Sequence, residues 1–292
     1  MSSSADNPLA PLLDLPGVAE SVETVRQAVD RLYGHRVMRR RSSEVTAEAA
    51  LRGARSSAQL DGAAWALEEV RRRSDFSGPG EPRTVGGALR ATAEAGQLRE
   101  VWRQSPLRVL ARLHLVAAAG ATATGDAEAQ AATGDPHEGL GRPRLAGETP
   151  QPAPGEMTWD ELPLPDADQV AARLADLARL VVAGGSVPAL VTAAVVHGEL
   201  LALRPFRSRN GLVARAAQRV ALISGGLDPK AVCPAEVGHA ELGAEAYREA
   251  LRGYVSGTPD GVAGWVRYCG RAVALGARES TAVCEAFQRG AA

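Results

Sequence analysis

One segment restricts the fold more than any other: between Pro188 and Leu203, apolar residues occur on almost every side of a helix. A helix of this kind is buried among other elements of secondary structure. It ends before Pro205, which cannot continue a helix. His197 and Glu199 interrupt the apolar run, which falls short of the roughly 18 apolar residues that a membrane span needs. We therefore predict a central helix that other helices surround, and no membrane span.

The rest of the chain shows helical periodicity as well. No segment alternates apolar and polar residues with a period of two, so we predict no sheet and an all-α fold. The predicted helices, which share an apolar face and start or stop signals, span about 18–33, 43–73 with a break at Asp61-Gly62, 88–119 with a break at Ser105-Pro106, 168–182, 186–203, 212–223, 241–253 and 261–289.

Composition divides the chain into three parts. Residues 1–16 are rich in Ser, Pro and Asp, and we predict that they are disordered. Residues 17–87 are predicted to hold N-terminal helices and, because of their prolines and glycines, a linker over 74–87. Residues 88–292 are predicted to form the helical core. Within it, the long loop 120–157 is either functional or disordered.

Charge and cysteine content exclude several classes of protein. The net charge is −1 and the pI is near 6.5, so no overall field draws the chain to nucleic acid or to an anionic membrane. The three cysteines and five histidines lack the spacing of a disulfide framework or a metal site. The first residues lack the basic and apolar regions of a signal peptide. We expect a cytoplasmic protein without a bound metal, and its oligomeric state stays open.

The junction between two central helices, Arg204–Arg215, carries the strongest functional signal. It is a short loop that enters a helix N-terminus, where free N–H groups and the helix dipole favour an anion. No Asp or Glu lies within it, so it suits an anion and not a divalent cation. The open alternative is a solvated surface of arginines. The candidate ligand-binding residues are Arg204, Arg207, Arg209, Asn210, Gly211 and Arg215.

This junction resembles the motif of Fic (Fido) proteins, His-Pro-Phe-x-(Asp/Glu)-Gly-Asn-Gly-Arg-x-x-Arg, which lies between two buried helices. The residues that match it are Pro205, Phe206, Asn210, Gly211 and Arg215. The flanking segments that resemble the family are Ala193–His197, Val220–Gly225, Tyr247–Leu251 and Trp265. The resemblance covers about residues 45–275. It implies an all-α, Fic/Fido-like helical domain with a helical N-terminal extension.

A second motif upstream resembles the inhibitory helix of the family, (Ser/Thr)-x-x-x-Glu-(Gly/Asn). Here it reads Ser57-x-x-x-Asp61-Gly62. The resemblance implies that Asp61 reaches Arg215 and blocks the place of a terminal phosphate. Because Asp is one methylene shorter than Glu, the contact requires a closer helix or a bridging water, and Gly62 permits close approach. The alternative is that Asp61 caps the helix that follows it.

The departures from the family motif concern its chemistry. The position of the family's catalytic histidine is Arg204, which cannot accept a proton at neutral pH. The metal-binding acid is replaced by Ser208, a glycine of the phosphate cradle by Arg209, and the first motif arginine by Leu212. The family transfers AMP from magnesium-bound ATP to a protein side chain. The resemblance therefore implies that this reaction does not run here, with no catalytic residue and no metal ligand.

We therefore predict a pseudoenzyme of Fic type. Its expected partner is ATP, another phosphate-bearing small molecule bound without magnesium, or a protein. One alternative is a transferase with altered, metal-independent chemistry, which uses Arg204 and Arg215 as phosphate clamps. Another is a structural interaction protein with an empty pocket. His197 is either a substitute base or, as we expect, a core residue, and Glu199 either pairs with a loop arginine or is a structural ion-pair partner.

Overall fold

The structure is a computed structural model that describes residues 7–119, 139–185 and 187–290. Over these residues it contains helices, turns and loops but no strand, which confirms the predicted all-α class. The α-helices of this part of the chain are α1 (Val18–Gly34), α2 (Ser42–Leu60), α3 (Leu67–Arg72), α4 (Glu81–Ala95), α5 (Arg99–Gln104), α6 (Pro106–Ala118), α7 (Ala167–Ala183), α8 (Ala189–Leu203), α9 (Asn210–Ser224), α10 (Ala235–Leu242), α11 (Ala244–Val255) and α12 (Pro259–Gln288).

Helices α8 and α9 pack along each other at the centre of the molecule. Every residue of α9 is buried, and so are all but three residues of α8. Helices α2, α4, α5 and α6 contact α9, whereas α7, α11 and α12 contact α8. The apolar run that predicts a central helix is confirmed, and its partner α9 is buried more completely than its own sequence indicates.

The N-terminal helices share the hydrophobic core of the rest of the chain. Helix α1 packs against α12, and α2 packs against α4 and α10. Val18 and Val45 are fully buried in the same cluster as Leu201 of α8. Helix α2 therefore reaches the start of α9, where the candidate site lies.

Local signals explain several helix starts. Asp166 caps α7 with a capping box, because its carboxylate accepts from the N–H of Gln169 and the Gln169 side chain accepts from the N–H of Asp166. Pro106 begins α6 directly after Ser105, as predicted. Thr258 caps α12 by accepting from the N–H of Gly261.

The predicted linker over 74–87 is wrong for residues 81–87, which form the first half of α4. The predicted boundary between residues 87 and 88 consequently falls inside a helix. Glycine lowers helix propensity, which is why the sequence favours a loop here. A Cβ atom at Gly87 would overlap the carbonyl oxygen of Ala117, and one at Gly86 would lie 2.7 Å from Cβ of Phe76. These glycines therefore permit close packing of α4.

The predicted disorder of residues 1–16 is wrong for residues 7–16, and residues 1–6 lie outside the described part of the chain. Ala10–Asp14 form a 3₁₀ helix. Leu9 is buried, and Asn7 Nδ2 donates to Gly184 O at 2.6 Å. The burial of Leu9 and the hydrogen bond of the Asn7 side chain therefore hold this segment against the rest of the protein.

Helix α10 is a third difference from the sequence-based expectation, which places a single helix over 241–253. Gly243, with φ of 89°, separates α10 from α11. Helix α10 has eight residues and packs against α12 so closely that a Cβ atom at Gly238 would overlap the backbone of Ala272.

Within the described residues, no helix is long and apolar enough to cross a membrane.

Candidate functional site

The loop of residues 204–209, called the motif loop below, joins α8 to α9. Arg204 ends α8 and Arg209 precedes α9, with left-handed φ values of 46° and 58°. This conformation costs a non-glycine residue roughly 1–2 kcal/mol. Arg209 stands where the resembled motif has a glycine, so the backbone shape that suits glycine is retained despite the longer side chain.

Asn210 holds the motif loop closed. Its Oδ1 accepts from the N–H of Phe206 at 2.9 Å, and its Nδ2 donates to Phe206 O at 2.8 Å. The Phe206 ring stacks on His114 of α6 with centroids 4.2 Å apart. Burial lowers the pKa of His114 to about 4, so this ring is neutral at pH 7. The Asn210 side chain therefore shapes the loop, and its role as a ligand-binding residue stays a prediction.

Arg215 and Asp61 form an ion pair at the base of the loop. Arg215 Nη2 lies 2.8 Å from Asp61 Oδ2, and the two side chains are 1% and 0% exposed. Ser57 adds its hydroxyl at 2.8 Å from Arg215 Nε and its carbonyl at 3.1 Å from Nη2. The contact implied by the inhibitory motif is therefore present and direct. The inhibitory role of Ser57, Asp61 and Gly62 stays a prediction.

The alternative role of Asp61 as a helix cap is wrong. The next helix, α3, begins at Leu67 with Ala66 as its N-cap. Burial raises the pKa of the Asp61 carboxyl, and Arg215 and Arg209 offset part of that rise. Burial lowers the pKa of Arg215, but the Asp61 carboxylate and the Tyr247 hydroxyl together outweigh this and raise it overall.

Gly211 faces this ion pair. A Cβ atom at this position would lie 2.9 Å from Asp61 Oδ1 and 3.0 Å from Arg215 Nη1. Both of these atoms are buried and lack a hydrogen-bond partner in the described part of the chain. The start of α9 thus contains an unpaired buried donor and an unpaired buried acceptor side by side, which is costly unless a further group satisfies them.

The motif loop itself contains three arginines, which differ in their partners. Arg204 donates to the carbonyl oxygens of Trp159 at 2.9 Å, Leu162 at 3.2 Å and Pro163. Arg209 donates to Thr84 Oγ1 at 2.8 Å and forms no ion pair within the described residues, while Arg207 lies 4.0 Å from Glu148. Of the four predicted arginines, Arg209 and Arg215 are therefore the buried pair associated with Asp61.

The predicted clamp role of Arg204 does not match its contacts, because its guanidinium bonds go to backbone carbonyls of another segment. Burial lowers the pKa of Arg204, and the carbonyl oxygens accept from its Nη1 and Nη2 groups, while its Nε has no hydrogen-bond partner in the described part of the chain. An arginine can satisfy several carbonyls at once because it has five N–H donors in a fixed plane. The sequence contains no signal for which carbonyls it reaches.

Residues 139–163, called the flap segment below, lie against the motif loop. Residues 139–157 of this segment belong to the predicted loop 120–157, which the resemblance matches with the flap of Fic proteins, and residues 120–138 of that loop lie outside the described residues. The N–H of Arg144 donates to Pro205 O at 2.8 Å, and that of Gln151 donates to Arg207 O at 2.5 Å. Two loop carbonyls are therefore paired with the chain itself.

The same segment also contacts the inhibitory motif. Gly62, with φ of 90°, packs so closely on Gly155 that a Cβ atom would lie 2.5 Å from Gly155 O. We expected Gly62 to let the inhibitory helix approach Arg215. Instead, Gly62 lets the flap segment approach the end of α2. The ion pair between Asp61 and Arg215 forms directly beside it.

Glu156 is a buried acid of the flap segment that sequence reasoning missed. Its Oε2 accepts from the N–H of Ala153 at 2.9 Å. Burial and the neighbouring Asp61 raise its pKa to about 7, although Arg209 and Arg215 oppose the rise. No sequence signal marks it, because a single acid in a Pro- and Gly-rich loop is typically solvated.

His197 and Glu199 have structural partners. His197 Nε2 lies 2.6 Å from Tyr247 OH, and burial lowers the pKa of the fully enclosed imidazole far below its usual value. Glu199 pairs with Arg173 at 2.8 Å and accepts from Tyr254 OH, which confirms the structural ion pair over the alternative pairing with a loop arginine. In the part of the chain that the structure describes, no group of three or more His, Cys, Asp or Glu side chains is arranged to hold a metal ion.

Comparison with known proteins identifies the fold. No protein-family model and no curated protein matches the sequence. Solved structures do match. A Fic family protein from Desulfovibrio desulfuricans G20 is 20% identical with a TM-score of 0.67, covering 92% of this chain and 75% of that one. Fic-1 of C. elegans, residues 134–508, is 16% identical with a TM-score of 0.63, covering 95% and 75%.

A Fic domain containing signaling protein from Bacteroides thetaiotaomicron VPI-5482 extends the comparison. It is 11% identical with a TM-score of 0.60, covering 91% of this chain and 97% of that one. The protein therefore has a Fic-like fold over more than nine tenths of its length. At these identities the likeness concerns the fold, and the chemistry must be argued from the site itself.

Proposed function

We propose that this protein is a Fic-fold pseudoenzyme, which binds a phosphate-bearing ligand or nucleotide at the start of α9 without magnesium and transfers no AMP. The observation that carries the proposal is Arg215 Nη1, a buried and unpaired donor beside the first turn of α9. A helix N-terminus and buried guanidinium groups together favour an anion.

The charge balance around this position supports an anionic ligand. Arg209 and Arg215 are 6% and 1% exposed, and Arg209 has a neutral hydroxyl as its hydrogen-bond partner. Position 208 carries a serine in place of an acid, so the motif loop offers no carboxylate to magnesium. An anion that replaces Asp61 beside Arg215 would restore the charge compensation that the guanidinium needs.

The absence of transfer is supported by Arg204. This residue occupies the position of the family's base, remains protonated at neutral pH and holds the flap segment through three carbonyls. It therefore has neither the proton affinity nor the free geometry of a general base.

Calorimetry and thermal-shift measurements with ATP, ADP and inorganic pyrophosphate, each with magnesium and with a chelator, test binding. We expect binding that does not depend on magnesium. Arg215→Ala should weaken it by about tenfold or more, because a charge-assisted contact contributes about 1.5–3 kcal/mol. Arg219→Ala is the matched control, because Arg219 forms a buried ion pair with Glu236 one turn further along α9. Equal affinity of wild type and Arg215→Ala would place the site elsewhere.

Incubation with labelled ATP and magnesium tests transfer. We expect no label on the protein itself or on added proteins. Label incorporation that is lost in Arg215→Ala or Asn210→Ala would refute the pseudoenzyme proposal and favour a transferase with altered chemistry.

A further inference from the structure

We propose that Glu156 is a second internal anion of this site, so that Asp61 and Glu156 together stand in for a ligand group with two negative charges, such as a phosphate monoester or a diphosphate. The inference rests on the proposed function. It adds the flap segment to the regulation of the site and restricts the class of ligand.

The backbone places Glu156 beside Asp61. Gly155 lies directly against Gly62, the residue after Asp61, with Gly62 Cα 3.3 Å from the position that a Cβ of Gly155 would take. Burial raises the pKa of the Asp61 carboxyl, and the nearby backbone N–H of Met157 opposes that rise. Residues 155–157 therefore run along the end of α2 and bring Glu156 to the inner side of the flap segment, where it is 8% exposed.

Glu156 has unusual surroundings for a buried acid. Its hydrogen bond comes from a neutral amide, Ala153 N–H, and it forms no ion pair with the described residues. The charged groups that act on it are Asp61 of α2, Arg209 of the motif loop and Arg215 of α9. A carboxylate next to another carboxylate, with no cation in contact, destabilises the fold. An apolar residue of similar size at this position would be more stable.

The charges of Asp61, Glu156, Arg209 and Arg215 sum to zero when Glu156 is ionised. Arg209 and Arg215 supply two positive charges, and Asp61 with ionised Glu156 supplies two negative ones. A ligand that enters beside Gly211 must displace Asp61 and meets the charge of Glu156. It leaves both guanidinium groups compensated if it brings two negative charges while Glu156 takes up a proton. A monoanion compensates both only while Glu156 stays ionised, and its charge then faces a buried carboxylate, which disfavours it.

This arrangement couples anion binding to the protonation state of Glu156. Since the pKa of Glu156 is about 7, its carboxyl is neutral below that pH and charged above it. Ligand affinity in the wild type should therefore fall as the pH rises through 7. A glutamine at this position keeps an oxygen acceptor for the Ala153 N–H but carries no charge, so it should remove this dependence.

Inorganic sulfate and methyl sulfate are suitable probes, because they carry two charges and one charge, respectively, and neither titrates near pH 7. Calorimetry compares wild type, Glu156→Gln and Asp61→Asn at about one pH unit to either side of 7. Glu161→Gln is the matched control, since it removes an exposed acid from the same segment. We expect Glu156→Gln to tighten sulfate binding about tenfold on the alkaline side and far less on the acidic side.

The outcomes separate the two proposals. Tighter binding in Asp61→Asn together with unchanged binding in Glu156→Gln would overturn the role of Glu156 and leave the proposed function intact. Equal affinity for methyl sulfate and sulfate would overturn the ligand class. If neither sulfate nor pyrophosphate binds to any of the variants, the proposed function fails as well.

Discussion

Asp61 Oδ2 and Arg215 Nη2 lie 2.8 Å apart, although 154 positions separate the two residues in the chain. This ion pair connects the end of α2 to the second turn of α9, and both of its side chains are buried. Ser57 holds the guanidinium from a second side. The N-terminal part of the chain thereby supplies the counter-charge of Arg215.

The first prediction concerns this ion pair. Asp61→Ala should lower the free energy of unfolding by about 3–5 kcal/mol, because it leaves a buried guanidinium without its counter-charge. The double variant with Arg215→Ala should lose less than the sum of the two single variants, which denaturant unfolding in a double-mutant cycle measures. Glu236→Ala, which breaks the buried pair with Arg219, is the control for stability loss. Asp61→Ala should also tighten pyrophosphate binding, whereas Glu236→Ala should not. Additive losses would mean that the two side chains do not interact.

The second prediction concerns Gly211. Alanine favours a helix over glycine by about 1 kcal/mol, but its Cβ would meet Asp61 Oδ1 at 2.9 Å and Arg215 Nη1 at 3.0 Å. We expect the steric effect to dominate and Gly211→Ala to destabilise the protein by about 1–3 kcal/mol. Gly264→Ala in α12 is the control, because its nearest neighbour would be 4.0 Å away at the end of the Arg267 side chain, and it should be neutral or stabilising. Urea unfolding distinguishes the two, and a stabilising Gly211→Ala would show that the ion pair is not held where the structure places it.

The third prediction concerns Arg204 and the flap segment. Arg204→Met keeps an unbranched apolar stem but removes the guanidinium, which leaves the carbonyls of Trp159, Leu162 and Pro163 without their donors. We expect a loss of about 2–4 kcal/mol and faster cleavage by thermolysin within residues 139–163. Arg207→Met removes a neighbouring arginine whose acidic partner is 4.0 Å away, and it should leave the cleavage rate unchanged. Mass spectrometry of the fragments locates the cut. Equal protection of Arg204→Met and wild type would argue against Arg204 as the anchor of this segment.

The fourth prediction is a pH dependence of stability. The pKa of Glu156 rises from 4.5 to about 7 in the folded protein. A carboxyl whose pKa is raised by folding contributes most stability below its unfolded pKa and loses that contribution as the pH rises through the folded value. Wild type should therefore be less stable than Glu156→Gln above pH 7, by at most about 3 kcal/mol. The difference should vanish toward pH 4.5, near the unfolded pKa.

Chemical denaturation of both proteins across this pH range tests the fourth prediction, with Glu161→Gln as the exposed control. A constant difference between Glu156→Gln and wild type at all pH values would show that the carboxyl does not titrate with a raised pKa in the folded state.

Much of the architecture follows from local features of the sequence. The apolar run before Pro205 and the glycines at 225 and 226 mark the ends of α8 and α9, because helix periodicity and chain-breaking residues act within a few positions. The resemblance of the two motifs to those of Fic proteins also implies the contact between Asp61 and Arg215, which the structure contains.

Only the tertiary structure decided what surrounds that contact. Gly86 and Gly87 indicate a loop by propensity, yet they lie in α4, because the packing of α4 leaves no room there for side chains. The direction of the Arg204 guanidinium and the burial of Glu156 depend on how the flap segment folds back onto the motif loop. Such contacts join residues tens of positions apart, and the free energy that selects them comes from burial and paired charges, which no local pattern records.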